Sequence, residues 1–255
     1  MRVLTAEIRK LFASSYTRAM ALTAFGVGIV LSVFDGINML AQPERALDAG
    51  LVANFYTDTV YLAWVFPPVL GLLLMTSEFR WGTAIHTFLQ TPRRGVVVGW
   101  KMLASTLGGA VIALASLLGA YLTATVVLVA VGDFVAPEPG RLIGATVGMI
   151  LTGAASAPLG VAIGALVRAQ LAALAIFIGW IFLVEGALGA VAGPLGPYLP
   201  GQLMPQAVSL EWTSADLMSV LSTPLTPLSA VVYLAIWAVL MGIIASYTTL
   251  RRDID

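Results

Sequence analysis

Cysteine is absent from this chain, histidine occurs once and lysine twice in 255 residues. Without cysteine there is no disulfide staple, no thiolate metal site and no cysteine nucleophile. A lone histidine, His86, falls short of the three protein ligands usual for catalytic zinc. The two lysines, Lys10 and Lys101, follow Arg9 and Trp100. The sequence therefore lacks a G-x-x-x-x-G-K-[ST] loop to cradle nucleotide phosphates. Charge is also scarce: 10% of residues are Asp, Glu, Lys or Arg, against about 25% in soluble domains. Net charge is zero, which gives no reason to expect a nucleic-acid partner.

What fills the chain is apolar surface. Hydrophobic residues make up 59% and the mean hydropathy is +0.95. No soluble fold of this length hides that much, so lipid is the expected solvent. A bilayer core requires about 20 apolar residues per helix. Six runs qualify: Ala19–Leu40, Val60–Thr76, Met102–Val131, Leu142–Leu166, Leu171–Val191 and Leu228–Leu250. They are too long and too uniformly apolar for barrel strands. The expected fold is an all-α membrane protein, one transmembrane domain over residues 1–255 with six transmembrane helices. The first run is longer than a signal-peptide core and follows a leader carrying Glu7, so it reads as a retained span. Pro67 and Pro68 predict a kink or break in the second span.

The basic residues predict orientation. With the N-terminus in the cytoplasm, 11 of the 13 Lys and Arg residues fall inside, and only Arg45 and Arg141 fall outside. The positive-inside rule then places both termini in the cytoplasm of a cell whose inner or plasma membrane holds the chain. Within residues 1–18, Val3, Leu4, Ile8, Leu11 and Phe12 recur at helical spacing with Glu7, Arg9 and Lys10 between them. This predicts a helix over 3–12 lying on the inner membrane face. Residues 192–227 form a proline-rich outer loop, apolar enough to predict a compact cap, with a short helix over Glu211–Leu221.

The most informative segment is polar. It reads Glu78-Phe79-Arg80-Trp81-Gly82-Thr83, then Thr91-Pro92-Arg93-Arg94, then Lys101. Trp81, Ile85, Phe88 and Leu89 follow i, i+4, i+7, i+8 and predict one stripe on a short helix. Pro92 disfavours the helical state at Thr91 and stops it. His86 falls on the polar side. The bland function of such a stretch is an amphipathic connector anchored by positive charge; the sharper one is a lever that docks a cytoplasmic partner.

This stretch resembles the signature of ABC-2-type permeases, the membrane subunits of one class of ABC exporters. The matching residues are Glu78 at the end of span two, Gly82-Thr83, the turn Pro92-Arg93-Arg94, and Lys101 entering span three. The N-terminal interfacial helix, six spans and long outer loop match as well. The resemblance implies that residues 78–91 are a coupling helix, with Glu78, Trp81, Gly82, Thr83, Ile85, His86, Phe88, Arg93, Arg94 and Lys101 serving contact with a separate ATPase subunit. It implies two ATPase subunits, which bind the ATP and Mg, and a second permease copy or homologous permease, all within membrane lipid. The chain itself would need no cofactor. Spans one, two and five would line the central path, and the cargo would be hydrophobic or amphipathic: a lipid, drug, antibiotic or peptide.

Other residues remain candidates on their own chemistry. Asp35 and Glu185 are acidic residues within apolar runs, and an ionisable group at membrane depth is a functional candidate. With Pro67 and Pro68 they are the candidates for a substrate path. Gly144, Gly148, Thr152, Ser156, Gly160 and Gly164 recur every four residues and predict a flat ridge for close helix packing. Tyr61, Trp64, Tyr198, Trp212, Tyr233 and Trp237 read as interface or packing aromatics. An ion-coupled secondary transporter is the alternative function, supported by Pro67, Pro68 and Pro158, although Asp35 and Glu185 sit toward the outer ends of their spans. An intramembrane protease is disfavoured because His86, the only histidine, lies on the connector, away from every span.

Overall fold

The computed structural model describes residues 2–57, 63–83, 94–132, 134–137, 139–208 and 225–247. Among the described residues all regular structure is helical. In chain order the α-helices are α1 (Arg2–Ala13), α2 (Ser15–Ala41), α3 (Ala49–Thr57), α4 (Phe66–Arg80), α5 (Arg94–Val131), α6 (Pro139–Val167), α7 (Gln170–Gly179), α8 (Glu185–Val191), α9 (Pro200–Ala207) and α10 (Pro227–Tyr247). Ser14 separates α1 from α2. Its hydroxyl accepts from the Tyr16 amide at 3.2 Å, capping an otherwise unpaired donor of α2.

Among the described residues five helices are long and apolar enough to cross a membrane: Ser15–Ala41, Gly95–Val131, Pro139–Val167, Gln170–Gly189 and Pro227–Tyr247. The chain is thus a multi-pass α-helical membrane protein. The predicted second span differs. Among the described residues it is a 3-10 turn, Ala63–Val65, followed by α4, whose 15 residues rise about 22 Å against a hydrocarbon core of about 30 Å. Pro67 and Pro68 occupy the first turn of α4, where a missing N–H costs nothing. They start a helix here instead of kinking one. The 38 residues of α5 rise about 57 Å, so α5 runs well past a bilayer core. A π-helical turn, Trp180–Val184, separates α7 from α8 within the fifth apolar run.

α6 is the central helix. In its apolar window 67% of residues are buried, against 22% for α2. All six residues of the predicted small-residue ridge are buried. Lipid tails are as apolar as leucine, so helices associate here through close van der Waals approach and not through escape from water. The contacts show this. A Cβ on Gly160 would collide with the carbonyl of Pro68 in α4, and one on Gly71 would collide with the carbonyl of Ala157 in α6. Gly109 of α5 and Gly153 of α6 face each other in the same way.

The loop after α8 does not simply cap the bundle. Its 3-10 turn Gly193–Tyr198 and helix α9 fold back, and Leu203, Met204 and Ala207 are fully buried. They join Trp64, Leu72, Phe177, Ile181 and Leu234 in one hydrophobic cluster. Tyr198 stacks edge-on against Tyr233 at 5.1 Å, and its carbonyl accepts from Trp237 Nε1 at 2.9 Å. These are packing aromatics, as is Trp64, stacked on Phe182 at 6.3 Å. The predicted helix Glu211–Leu221, with Trp212, lies outside the described residues, and so does Tyr61.

If glycine is required for the α4–α6 approach, Gly160→Leu will overpack the seam and cost about 1–3 kcal/mol. Gly26→Leu on α2, where an added Cβ meets nothing within 4 Å, will leave stability unchanged. Unfolding of both variants in mixed detergent micelles measures the difference.

Candidate functional site

Both lysines of the chain converge on one place. Lys101, two turns into α5, donates from Nζ to Glu7 Oε2 and to Glu78 Oε1, each at 2.8 Å. Lys10 closes the ring, reaching Glu7 Oε1 at 3.0 Å and Glu78 Oε1 at 3.4 Å. Two positive and two negative charges from α1, α4 and α5 therefore cancel at one end of the bundle. The side chains of Glu7 and Lys101 are only 4% and 6% exposed, while Lys10 is half exposed. A cavity of about 100 Å³ adjoins the ring and is bordered by Leu11, Ser14, Leu74 and Ser77.

The helical register of α1 makes this ring possible. Glu7 lies on one face with Leu4 and Leu11, at i, i+3 and i+7, and that face is the packed one: Leu11 is buried against Leu70 and Ile112. Glu7, which the sequence sets between the apolar residues with Arg9 and Lys10, points inward, because a counter-charge waits there. Burial by itself raises the pKa of Glu7, but the charge and hydrogen bond of Lys101, with those of Lys10, outweigh it and hold Glu7 below the ordinary carboxylate range. For Lys10 burial lowers the pKa, and the hydrogen bond to Glu7 and the charge of Glu78 overturn this, raising it above the ordinary lysine value.

Glu78 occupies the last turn of α4, directly before the exposed segment. The predicted single helix over 78–91 is corrected at its start: α4 ends at Arg80, Trp81 is its cap, and Gly82 adopts φ +67°. A glycine in the left-handed region just past a helix is a common stop signal, since it carries no Cβ to clash. Trp81 therefore stands in a turn. It is 67% exposed, and the Arg80 guanidinium lies 5.4 Å from its ring centre. Thr83 is exposed, its hydroxyl 3.4 Å from the Glu78 carbonyl. Ile85, His86, Phe88 and Arg93 lie outside the described residues; Arg94 opens α5.

The other side of the α4 terminus is held as well. Arg80 Nη1 donates to Gln170 Oε1 of α7 at 3.1 Å, and the Arg168 guanidinium sits 5.6 Å from the ring centre of Phe79. Arg168, between α6 and α7, has φ +61°, a conformation that costs an L-residue about 1–2 kcal/mol. The turn at 81–82 thus projects from a helix end gripped by α1 and α5 on one side and by the α6–α7 junction on the other.

The remaining candidates do not gather there. Asp35 is half-buried on α2, beside Gly36, which packs against Val127 of α5. Pro67 and Pro68 are buried at the α4 start. Glu185 is fully buried at the first position of α8, after the π turn. Its Oε1 accepts from Trp180 Nε1 at 2.6 Å and its Oε2 from the Gln202 amide at 3.2 Å. The carboxylate thereby sits at the first turn of α9, sharing the Gln202 amide with the Leu199 carbonyl at 3.0 Å, and Gly201 leaves it room, since a Cβ there would come within 2.6 Å of Oε2. Glu185 ties the re-entrant segment to the fifth apolar run.

Sequence reasoning missed Glu7, Arg168 and Gln170 as parts of this end of the bundle. The spacing of Glu7 with Leu4 and Leu11 was a usable signal; for Arg168 and Gln170 nothing in the linear pattern pointed to α4. No family model and no curated protein matches this chain.

Removing one member of a buried charge cluster leaves its partner uncompensated, at a cost of about 3–5 kcal/mol. Lys101→Met is expected to lose that much stability, and Glu7→Gln combined with Lys101→Met to recover part of it, because Glu78 and Lys10 remain balanced; a double-mutant cycle reads the coupling. The pH response follows from the two shifts. The Glu7 contribution is complete above the ordinary carboxylate range and is lost as pH falls through its depressed pKa. The Lys10 contribution is complete below the ordinary lysine value and is lost as pH rises through its elevated pKa. Labelling of a Leu11→Cys reporter in this cysteine-free chain, taken as the ratio to an unfolded thiol at the same pH so that the thiolate fraction cancels, should show strong protection across neutral pH and lose it at both extremes as α1 lifts.

Proposed function

We propose that this chain is the permease subunit of an ATP-driven exporter of the ABC-2 type, moving a hydrophobic or amphipathic substrate out of the cytoplasm or inner leaflet. The observation that carries the reading is the gripped end of α4. A push on an exposed turn is useful only if the helix behind it moves as a unit with its neighbours. The Lys101–Glu78–Glu7–Lys10 ring joins α4 to α1 and α5, and Trp81 and Thr83 stand exposed just beyond it.

In this proposal a separate subunit binds ATP and Mg, and its closure acts on residues 78–91. The spans then exchange two arrangements, and nucleotide supplies the difference in free energy that any such switch requires. Arg94 and, outside the described residues, Ile85, His86, Phe88 and Arg93 belong to the proposed contact surface. The working unit holds two permease copies, identical or homologous, in the cell membrane with both termini cytoplasmic. α2 and the α7–α8 run, each with 22% of the apolar window buried, keep broad faces for lipid and for a second copy. An ion-coupled secondary transporter is the second reading. Glu185 beside a π turn favours it, since π turns recur at functional sites, but that carboxylate would have to release Trp180 and α9 to carry an ion.

The test is purification of tagged protein from mildly solubilised membranes. A P-loop ATPase recovered in stoichiometric amount is the expected result; its reproducible absence from intact and gently extracted membranes would move the weight to the secondary transporter. With the ATPase in hand, Trp81→Ala is expected to lower transport-linked ATP hydrolysis roughly 5-fold or more, the low end for coupled sites, with expression unchanged because Trp81 is exposed. Glu78→Ala should match it in activity and add a loss of stability.

A further inference from the structure

The cavity of about 100 Å³ beside the ion ring has polar walls. Cavities that stay dry are apolar. This one is bordered by all four charged residues of the ring and by three serines, Ser14, Ser77 and Ser105, from the α1–α2 junction, α4 and α5. We propose that it is a built water site, holding about three ordered waters at roughly 30 Å³ each. The site does not depend on the exporter reading, and three observations carry it.

The first is hydrogen-bonding capacity that the ring leaves unused. An ammonium group has three N–H donors. Lys101, whose side chain is nearly inaccessible, spends two of them, on Glu7 and Glu78. Glu78 accepts both lysines on Oε1, and among the described residues its Oε2 has no partner. The serines keep capacity as well. Ser14 accepts from the Tyr16 amide, which leaves its O–H to donate. Ser77 and Ser105 donate to the carbonyls of Leu74 and Met102, which leaves their lone pairs to accept. Buried polar groups are expensive when unpaired, and a buried water makes about three hydrogen bonds.

The second is charge. Lys10 and Lys101 balance Glu7 and Glu78 within the ring. A cation entering the cavity would meet two ammonium groups, and an anion two carboxylates. A neutral molecule meets neither repulsion.

The third is the mixture of needs at the wall. Glu78 Oε2 and the lone pairs of Ser77 and Ser105 call for donors; Lys101 and the Ser14 O–H call for acceptors. A molecule that donates and accepts equally, and is small enough for the space, is water. Its bonds extend the ring and lower the cost of holding four charges at a helix seam.

X-ray hydroxyl-radical footprinting tests the site. Radiolysis turns water into radicals where it stands, so a buried side chain is oxidised only where a water touches it. The full chain is irradiated in phosphatidylcholine nanodiscs at neutral pH and mapped by peptide mass spectrometry. Leu11 borders the cavity although it is 2% exposed, whereas Leu70, in the same cluster and 0% exposed, does not border it. Leu11 is expected to oxidise far faster than Leu70; equally slow oxidation means a dry cavity and overturns the site. A bulky maleimide cannot enter so small a space, so Leu11→Cys should stay protected at the same pH. Loss of that protection would mean that lifting of α1 exposes Leu11 to bulk water, and overturns the site too. Ala104 also lines the cavity, and Ala104→Leu puts three more carbons into it. This should cut Leu11 oxidation roughly ten-fold, which is about 1.4 kcal/mol in occupancy; undiminished oxidation overturns the site. The wild-type comparison of Leu11 with Leu70 decides even if that variant does not fold.

Discussion

A lysine two turns into an apolar helix has to be neutralised, and much of one end of this molecule follows from that requirement. Lys101 is nearly inaccessible, and an isolated charge there would carry a desolvation cost of several kcal/mol. Two carboxylates supply the compensation. One comes from α1, which is why an N-terminal amphipathic helix turns an acidic residue inward. The other comes from the last turn of α4, which fixes that helix end beside α5. Lys10 then balances the surplus negative charge from the solvent side, where screening makes its own contribution small.

The other end of α4 obeys a different constraint. Without water to drive helices together, backbone proximity decides. Gly71 and Gly160 bring α4 and α6 close enough that any side chain would collide with a carbonyl. One short helix is thus anchored by packing along its length and by charge at its tip. That combination explains why 15 residues are mostly buried although they fall short of a bilayer, and why the turn at Trp81–Gly82 leaves a fixed base.

The buried carboxylate Glu185 shows how context redirects a residue that looks functional. From sequence it is an acid in an apolar run and so a candidate for substrate passage. In the fold its oxygens accept from an indole N–H and from the first turn of α9. Its partners lie across a turn and a loop whose return into the core no periodicity announces. The cavity beside the ion ring was equally invisible, since a void depends on which small residues three separate elements bring to one place.

The sequence by itself determined the lipid solvent, the helical class, the approximate limits of five long helices, the small-residue ridge on α6 and the polar stretch that holds Glu78, Gly82 and Lys101. Each of these depends on composition or on spacing within one segment, and helical periodicity and glycine stereochemistry act locally. Only the tertiary structure decided that Lys101 pairs with Glu7 across 94 residues, that Pro67 and Pro68 begin a short helix, and that Arg168 and Gln170 hold the far side of α4. Those are choices among distant partners, made jointly by desolvation, carbonyl-to-glycine clearance and the direction in which each helix leaves its last turn.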